Sequence, residues 1–589
     1  MNYNKLHKRI FISFIIVTFG FTNLSWAQSP SYTLHNSKMN QFLKQLNDRY
    51  VDTVNFDDLV EKGVVEMLKE LDPHSIYIPK EDVQQTNEPL QGSFEGIGVT
   101  FQLIMDTINV MEVVVNGPSE KVGILPGDKI LTVDSLTAHG KQINNKWVQS
   151  HLRGKKGTKV AVKIKRGSKI LNFTITRDKI PMNSINIAFM VDKEIGYIRL
   201  ERFSQTSPGE FKEAIAKLKN EGMKNLIFDL RGNGGGYLDV AFKITDEFIS
   251  KDLMIVYTDN FRKTGQQFRA TEIGNFEKGK LIILVDEGSA SASEIVSGAV
   301  QDWDRGIIMG RRTFGKGLVQ KPLYLPDHSM LRLTISHYYT PTGRCIQKPY
   351  KDGLDSYYNE LSNRYKHGEY LTADSISFPD SLKYTTPRGR IVYGGGGIMP
   401  DIFIPIDTSK YSSLFNEMIR KGIFGEYTMN YMEKHREELK EKYPSIKSFK
   451  NNFIVDKILY NELIAYAKNK GITDSVSFDF AQSVKNFTQS EKKKLDSLYT
   501  TPDAFDENKE QFYELLSEYL KKSYEESMKL RNLDKAPDFI KEYLKFEMAR
   551  TLYGFGQAYE IFLMSDDAFQ QAYHVIRNDD FFKKLKVDR

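Results

Sequence analysis

The chain has 589 residues, 40% hydrophobic and 27% charged, with a formal net charge of +6. That is ordinary globular composition, with length for several domains. One cysteine, Cys345, excludes an intramolecular disulfide; no basic tail calls for nucleic acid, and no His/Cys cluster has zinc spacing.

Lys5, Lys8 and Arg9 precede an apolar run, Ile10–Leu24, and the small-x-small site Ser25-Trp26-Ala27. This pattern predicts a signal peptide over 1–27 and a mature chain from Gln28. The alternative is an uncleaved anchor, but the run is broken by Ser13, Thr18 and Gly20 and falls short of the roughly 20 residues a spanning helix needs. Export, to a bacterial periplasm, is the expectation, with membrane proximity if the signal stays in place.

Residues 28–93 read as a helical region. Phe42, Leu43, Leu46, Leu59, Val64, Val65 and Leu68 carry helical spacing over 38–70, and Pro73 ends it. His74 reads as a turn histidine with no partner in sequence. Over 94–178 the pattern changes to alternating strands around Met111–Val115, Lys129–Val133, Lys159–Lys165 and Leu171–Thr176. Arg153 reads as a solvated basic turn or as a contact to a peptide or neighbouring domain.

Residues 179–410 alternate strand and helix, which makes an α/β core. Ile195–Phe203 is a strand, and Ser207-Pro208-Gly209-Glu210 reads as a capping box opening a helix to about Glu221. Asn225–Leu230 is a buried strand, followed by Arg231-Gly232-Asn233-Gly234-Gly235-Gly236. A phosphate loop is an alternative there, but the lysine of a nucleotide-binding loop is absent. Leu281–Val285 is again a buried strand. Ser289, Ser291 and Ser293 sit on the small-residue turn into a helix that starts at Ala292. Such a turn exposes a side chain at the sheet end and aims free N–H groups at an anion, which suits a serine nucleophile. The same serines also suit plain helix capping. A further strand, Gly306–Gly310, leads to Thr313-Phe314-Gly315-Lys316-Gly317. Apolar neighbours there would desolvate Lys316 and favour its neutral, basic form. Leu331–Tyr338 and Ile402–Ile406 are late strands; residues 352–387 read as an insertion, and the glycines at 394–397 as positions of positive φ. Residues 411–589 hold amphipathic helical runs such as Glu510–Leu530 and read as an all-α module.

Together GSASASE and TFGKGLVQ resemble the carboxyl-terminal processing (tail-specific) peptidases. Ser291 lies 25 positions before Lys316 and Gln320 four after it, which is the family's spacing. The resemblance implies Ser291 as nucleophile, Lys316 as base and Gln320 as the residue orienting the amine. It implies Gly235 and Ala292 as oxyanion-hole donors. It implies a multidomain α/β protein with a crotonase-like (ClpP/crotonase) core and an inserted PDZ domain, in which Gly96, Ile97, Gly98 and Val99 would hold a peptide's terminal carboxylate. The N-terminal segment ending in LDPHS matches the family as well. The function so implied is an exported serine endopeptidase acting on polypeptides with free C-termini, without metal or cofactor. Two alternatives stand beside it. One is a Ser-His-Asp hydrolase using His328 or His337; the other is a non-catalytic PDZ scaffold. The helical module at 411–589 leaves open packing on the core, a homodimer or an adaptor.

Overall fold

The computed structural model describes residues 30–104, 106–271, 273–407, 410, 413–472, 487–498, 502–531 and 537–588. The signal-peptide segment, 1–27, lies outside them. The chain divides into two units, Met1–Leu71 and Asp72–Arg589. In the first, the expected helical run is two helices, Pro30–Arg49 and Phe56–Lys69. The break falls where Asn55 takes an extended backbone and its side chain accepts the Asp58 N–H, a helix N-cap.

The second unit opens with a strand, Ile76–Ile78, just past Pro73 and inside the 28–93 stretch expected as a helical region. It pairs antiparallel with Met330–Tyr339. The helix Lys80–Gln91 follows. Ser93–Gly96 then pairs with Asp178–Pro181, bringing together the two ends of the 94–178 segment. Between them Val99–Ile104, Thr107–Val113, Lys129–Val133, Lys159–Arg166 and Lys169–Thr176 form an antiparallel sheet over its own core of Ile108, Val110, Ile130, Val162 and Ile164. The helix Asn145–Leu152, capped by Asn144, is too short to show a period in sequence.

The central sheet runs in the order Ile187–Met190, Ile195–Arg199, Asn225–Asp229, Leu281–Val285, Ile307–Gly310, Ile402–Phe403, and its last five strands are parallel. Side chains of a strand alternate faces, so both faces must be covered when both are apolar. Phe228, Ile283 and Ile308 pack against the helices Ser207–Asn220, Leu238–Thr245 and Ala292–Asp302. Ile227, Ile282, Leu284, Ile307 and Met309 pack on Tyr559, Leu563, Phe569, Val575, Ile576 and Phe582. These belong to the C-terminal helices Phe555–Leu563, Asp567–Arg577 and Asp579–Lys584. The core therefore does not stop at residue 410; the end of the chain is its third layer. Residues 414–472 and 537–562 form a separate helical core around Phe424, Leu463, Ile540 and Met548.

The expected capping box at Ser207 does not form. The helix begins at Ser207 itself. Ser207 Oγ accepts the Ser204 N–H, and the Glu210 carboxylate accepts the N–H groups of Ser184 and Ile185 instead. A second sheet joins Ile76–Ile78, Met330–Tyr339, Met254–Asp259 and Gln267–Arg269, with Leu318–Tyr324 folding back as a hairpin on Met330–Tyr339. Among the described residues no helix is long and apolar enough to cross a membrane, and no group of His, Cys, Asp or Glu could hold a metal ion.

Candidate active site

The turn after Leu281–Val285 reverses into its helix at Ser291, whose backbone sits at φ 56°, ψ −110°. Only glycine takes that region freely, and a serine there stores about 1–3 kcal/mol. Neighbours hold it in place. Ser291 donates its N–H to Glu294 Oε2 at 2.8 Å, Tyr338 Oη donates to the Ser291 carbonyl at 3.0 Å, and Ala290 N–H donates to Asn233 O at 3.0 Å. The three serines separate. Ser289 Oγ donates to Leu230 O and Ser293 Oγ to Asn233 O, both at 2.8 Å and fully buried, so these two are structural. Ser291 lines a cavity of about 290 Å³.

Glu294 is a residue the sequence did not single out. Its carboxylate is fully buried and accepts hydrogen bonds from the Ser291 N–H, Thr313 Oγ1 (2.5 Å), the Gly315 N–H (2.7 Å) and the Lys316 N–H (2.9 Å). One side chain thus joins the serine turn to the lysine loop. Burial pushes its carboxyl above the usual range, against the pull of those donors. The GSASASE motif contains it, but only the serines of that motif stand out in the sequence.

The lysine loop is also gripped from outside. Arg364, on the helix Leu354–Lys366, donates to Thr313 O at 2.7 Å and Phe314 O at 3.1 Å. The stretch expected as an insertion is therefore scaffolding for the site. Gly315, at φ 91°, sits where a Cβ would lie 3.0 Å from the Gly397 nitrogen, so only glycine lets the loop pack there.

Lys316 lines the same cavity as Ser291, with Gly234, Gly235, Leu318, Gln320, Arg332 and Tyr338 among the other walls. Its amine donates to Gln320 Oε1 at 2.8 Å. Gln320 Nε2 in turn donates to the carbonyl of His74. That contact fixes the amide so that oxygen, not nitrogen, faces the amine. Burial lowers the Lys316 pKa from 10.5 to about 8, helped by the charge of Arg332 and opposed by Asp72 and Glu294.

His74 is partnered after all. Its Nε2 lies 2.6 Å from Tyr357 Oη, and burial and the Lys316 charge lower its pKa to about 4. Its turn is pinned by Asp72, which accepts the N–H groups of His74 and Ser75 and the Thr334 hydroxyl. The other two histidines do not reach the site. His328 occupies the hairpin turn before Met330, and His337 neighbours Tyr338, so strand alternation turns it away from Ser291.

Gly235 approaches Ser291 closely: a Cβ on it would stand 2.9 Å from Ser291 Cβ. Its N–H, however, donates to Asn233 Oδ1 at 2.9 Å. One amide has one proton, so in this conformation Gly235 is not the expected oxyanion donor. Ala292, first residue of its helix, lines the cavity with an N–H that meets no acceptor among the described residues.

In the 94–178 segment, Ile97, Gly98 and Val99 line a groove with Phe94, Phe101, Val148, Leu152 and Arg153; Gly96 ends the strand beside it. Arg153 is not a solvated charge. It pairs with Glu88 and lies 4.7 Å over the Phe94 ring.

Known proteins are similar to the chain over the segments that build this cavity and the groove. The model of peptidase family S41 matches residues 194–355, and that of a PDZ domain matches 96–176. A probable CtpA-like serine protease of Staphylococcus haemolyticus is 35% identical over 350 residues, 59% of this chain and 69% of that protein. The chain belongs to peptidase family S41, among its CtpA-like serine proteases. It is a serine-type peptidase with a PDZ domain, a module that binds peptides. A second probable CtpA-like protease, from Staphylococcus aureus MRSA252, is 35% identical over 316 residues, 53% of this chain and 62% of that one. Among solved structures, the photosystem II D1 C-terminal processing protease is similar at 25% identity and a TM-score of 0.32, over 54% of this chain and 84% of its own. Residues 414–486 match a family of unknown function.

Proposed function

We propose that this peptidase is exported, takes polypeptide C-termini in its PDZ groove, and cleaves near them with a Ser–Lys dyad. One observation carries the reading: Ser291 on a strained turn and a lysine with a burial-lowered pKa face one cavity. Neutral Lys316 takes the Ser291 hydroxyl proton as Oγ attacks the scissile carbonyl carbon. The Ala292 N–H stabilises the tetrahedral oxyanion, and Gly235 joins it once its N–H leaves Asn233. Collapse breaks the C–N bond, and Lys316 delivers the proton to the leaving amine. Water, deprotonated by Lys316, then hydrolyses the acyl-enzyme and restores Ser291. Gln320 holds the amine toward the serine throughout. The mixed strand–helix core, covered on both faces, supports the crotonase-like reading.

The test is cleavage of tail-bearing peptides, read by mass spectrometry, with Ser291→Ala and Lys316→Ala as controls. Both variants are expected to lose cleavage; retention by both refutes the dyad. Amidating the terminal carboxylate is expected to weaken binding. Export is tested by the N-terminus of the protein recovered from cells: Gln28 supports it, Met1 refutes it.

A further inference from the structure

The active-site cavity contains one charged side chain that the proposed chemistry does not use. Arg332 projects from Met330–Tyr339 into the same cavity as Ser291 and Lys316. It is half-buried, and its guanidinium makes no hydrogen bond or ion pair with the described residues. Arg231, Arg311 and Arg390 on this core are each ion-paired, to Asp229 and Asp566, to Glu287 and to Asp304, and the buried Arg305 donates to the Phe276 carbonyl. A half-desolvated cation without a counter-ion is costly, and it is set here beside a second basic group, Lys316. Its five donors in a planar fork match a carboxylate. On the hairpin, Arg332 is paired with Pro322, two residues along from Thr334, which pairs with Gln320. Two strand residues span about 7 Å, the length of two residues of an extended substrate.

We infer that Arg332 is a specificity-determining residue of the cleft, receiving a carboxylate of the substrate within about three residues of the cleaved bond. This rests on the Ser291–Lys316 reading of the cavity. The carboxylate has two sources, an acidic side chain or the chain terminus of a short tail, and both present the same chemistry. The charge of Arg332 also lowers the Lys316 pKa, so the residue acts on the base as well as on the substrate.

The experiment uses the full chain and its Arg332→Gln and Arg332→Lys variants. One peptide series places Glu, Gln or Lys at each of three positions flanking the cleavage site, on an unchanged long tail. A second shortens the tail to three residues, free or amidated. The wild type is expected to prefer the carboxylate at one position by roughly 10- to 100-fold in kcat/KM, the worth of a charged hydrogen bond. In Arg332→Gln that ratio falls to about one, and Arg332→Lys keeps part of it. A preference for Glu assigns the side chain; a preference for the free short tail assigns the terminus. No preference in the wild type, or an equal one in Arg332→Gln, overturns the inference. The same peptides are also titrated onto Ser291→Ala protein by fluorescence anisotropy, with and without Arg332→Gln. A carboxylate preference in binding together with cleavage by Ser291→Ala would sustain Arg332 and sink the dyad, so the two failures are distinct. A variant that does not fold is recognised by far-UV circular dichroism, and Arg332→Lys then decides.

Discussion

Lys316→Met isolates the cost of holding a lysine ready for use. The native amine has its pKa lowered from 10.5 to about 8 by burial. At 1.36 kcal/mol per pH unit, keeping it charged at pH 7 costs the folded state about 3 kcal/mol. Methionine has a similar shape and no proton to carry. It strands Gln320 Oε1, which now accepts from the amine, at a loss of about 1 kcal/mol. The variant is therefore expected to be more stable at pH 7 by about 2 kcal/mol, while losing activity. The sign with pH follows from proton counts. Between about pH 8 and 10.5 the unfolded lysine still holds a proton that the folded one has released, so wild-type stability rises through that window. The advantage of methionine is full below about pH 8 and is lost toward 10.5. From pH 7 to pH 10 it should shrink by about 2.5 kcal/mol, a difference in which the Gln320 loss cancels. Urea unfolding of both proteins at the two pH values, followed by far-UV circular dichroism, measures it. Identical shifts in the two midpoints would refute the claim that Lys316 is perturbed.

The kcat/KM profile of the wild type should climb about tenfold per pH unit below about pH 8 and level off above 9; a climb continuing to pH 10 would mark an ordinary lysine. Glu294→Gln turns an amide NH2 toward backbone donors that now meet a carboxylate. At about 1–3 kcal/mol for each buried donor left unpaired, it should lower the urea midpoint and cut kcat at least about 100-fold; undiminished kcat would show that the serine and lysine segments do not need this link. Asp72→Ala should cost about tenfold more activity than His74→Ala, because the second keeps the carbonyl that orients Gln320 whereas the first releases the whole turn. Equal losses would implicate the imidazole instead. Phe569→Ala, beneath the central sheet, should destabilise by about 3–5 kcal/mol in thermal or urea unfolding; a change under about 1 kcal/mol would mean that the C-terminal helices do not share the core.

Much of the fold was legible because its signals are local. Leu281–Val285 and Lys129–Val133 are apolar or alternating runs bounded by turn residues, and both are strands over those same residues. The turn at Ser291 and the glycines around Lys316 were legible for the same reason: strain and close approach require particular small residues at particular positions. Ile76–Ile78 was not legible as a strand, because three residues carry no period and its partner lies some 250 positions away. The helix Asn145–Leu152, which makes one wall of the PDZ groove, was missed for want of length.

By itself the sequence determined the kinds of groups at the site and their order along the chain, since hydroxyl, amine and flexible backbone are properties of residues. The family's spacing picked Ser291 from the three serines, but tertiary structure supplies the physical reason, because Leu230 and Asn233 consume the other two hydroxyls through carbonyls about 60 positions upstream. Only tertiary structure decided that Glu294 joins the two halves of the site, that Gly235 turns its N–H to Asn233, and that the last helices close the central sheet. The first and the last of these join segments separated along the chain, and such contacts leave no mark in the spacing of residues near either partner.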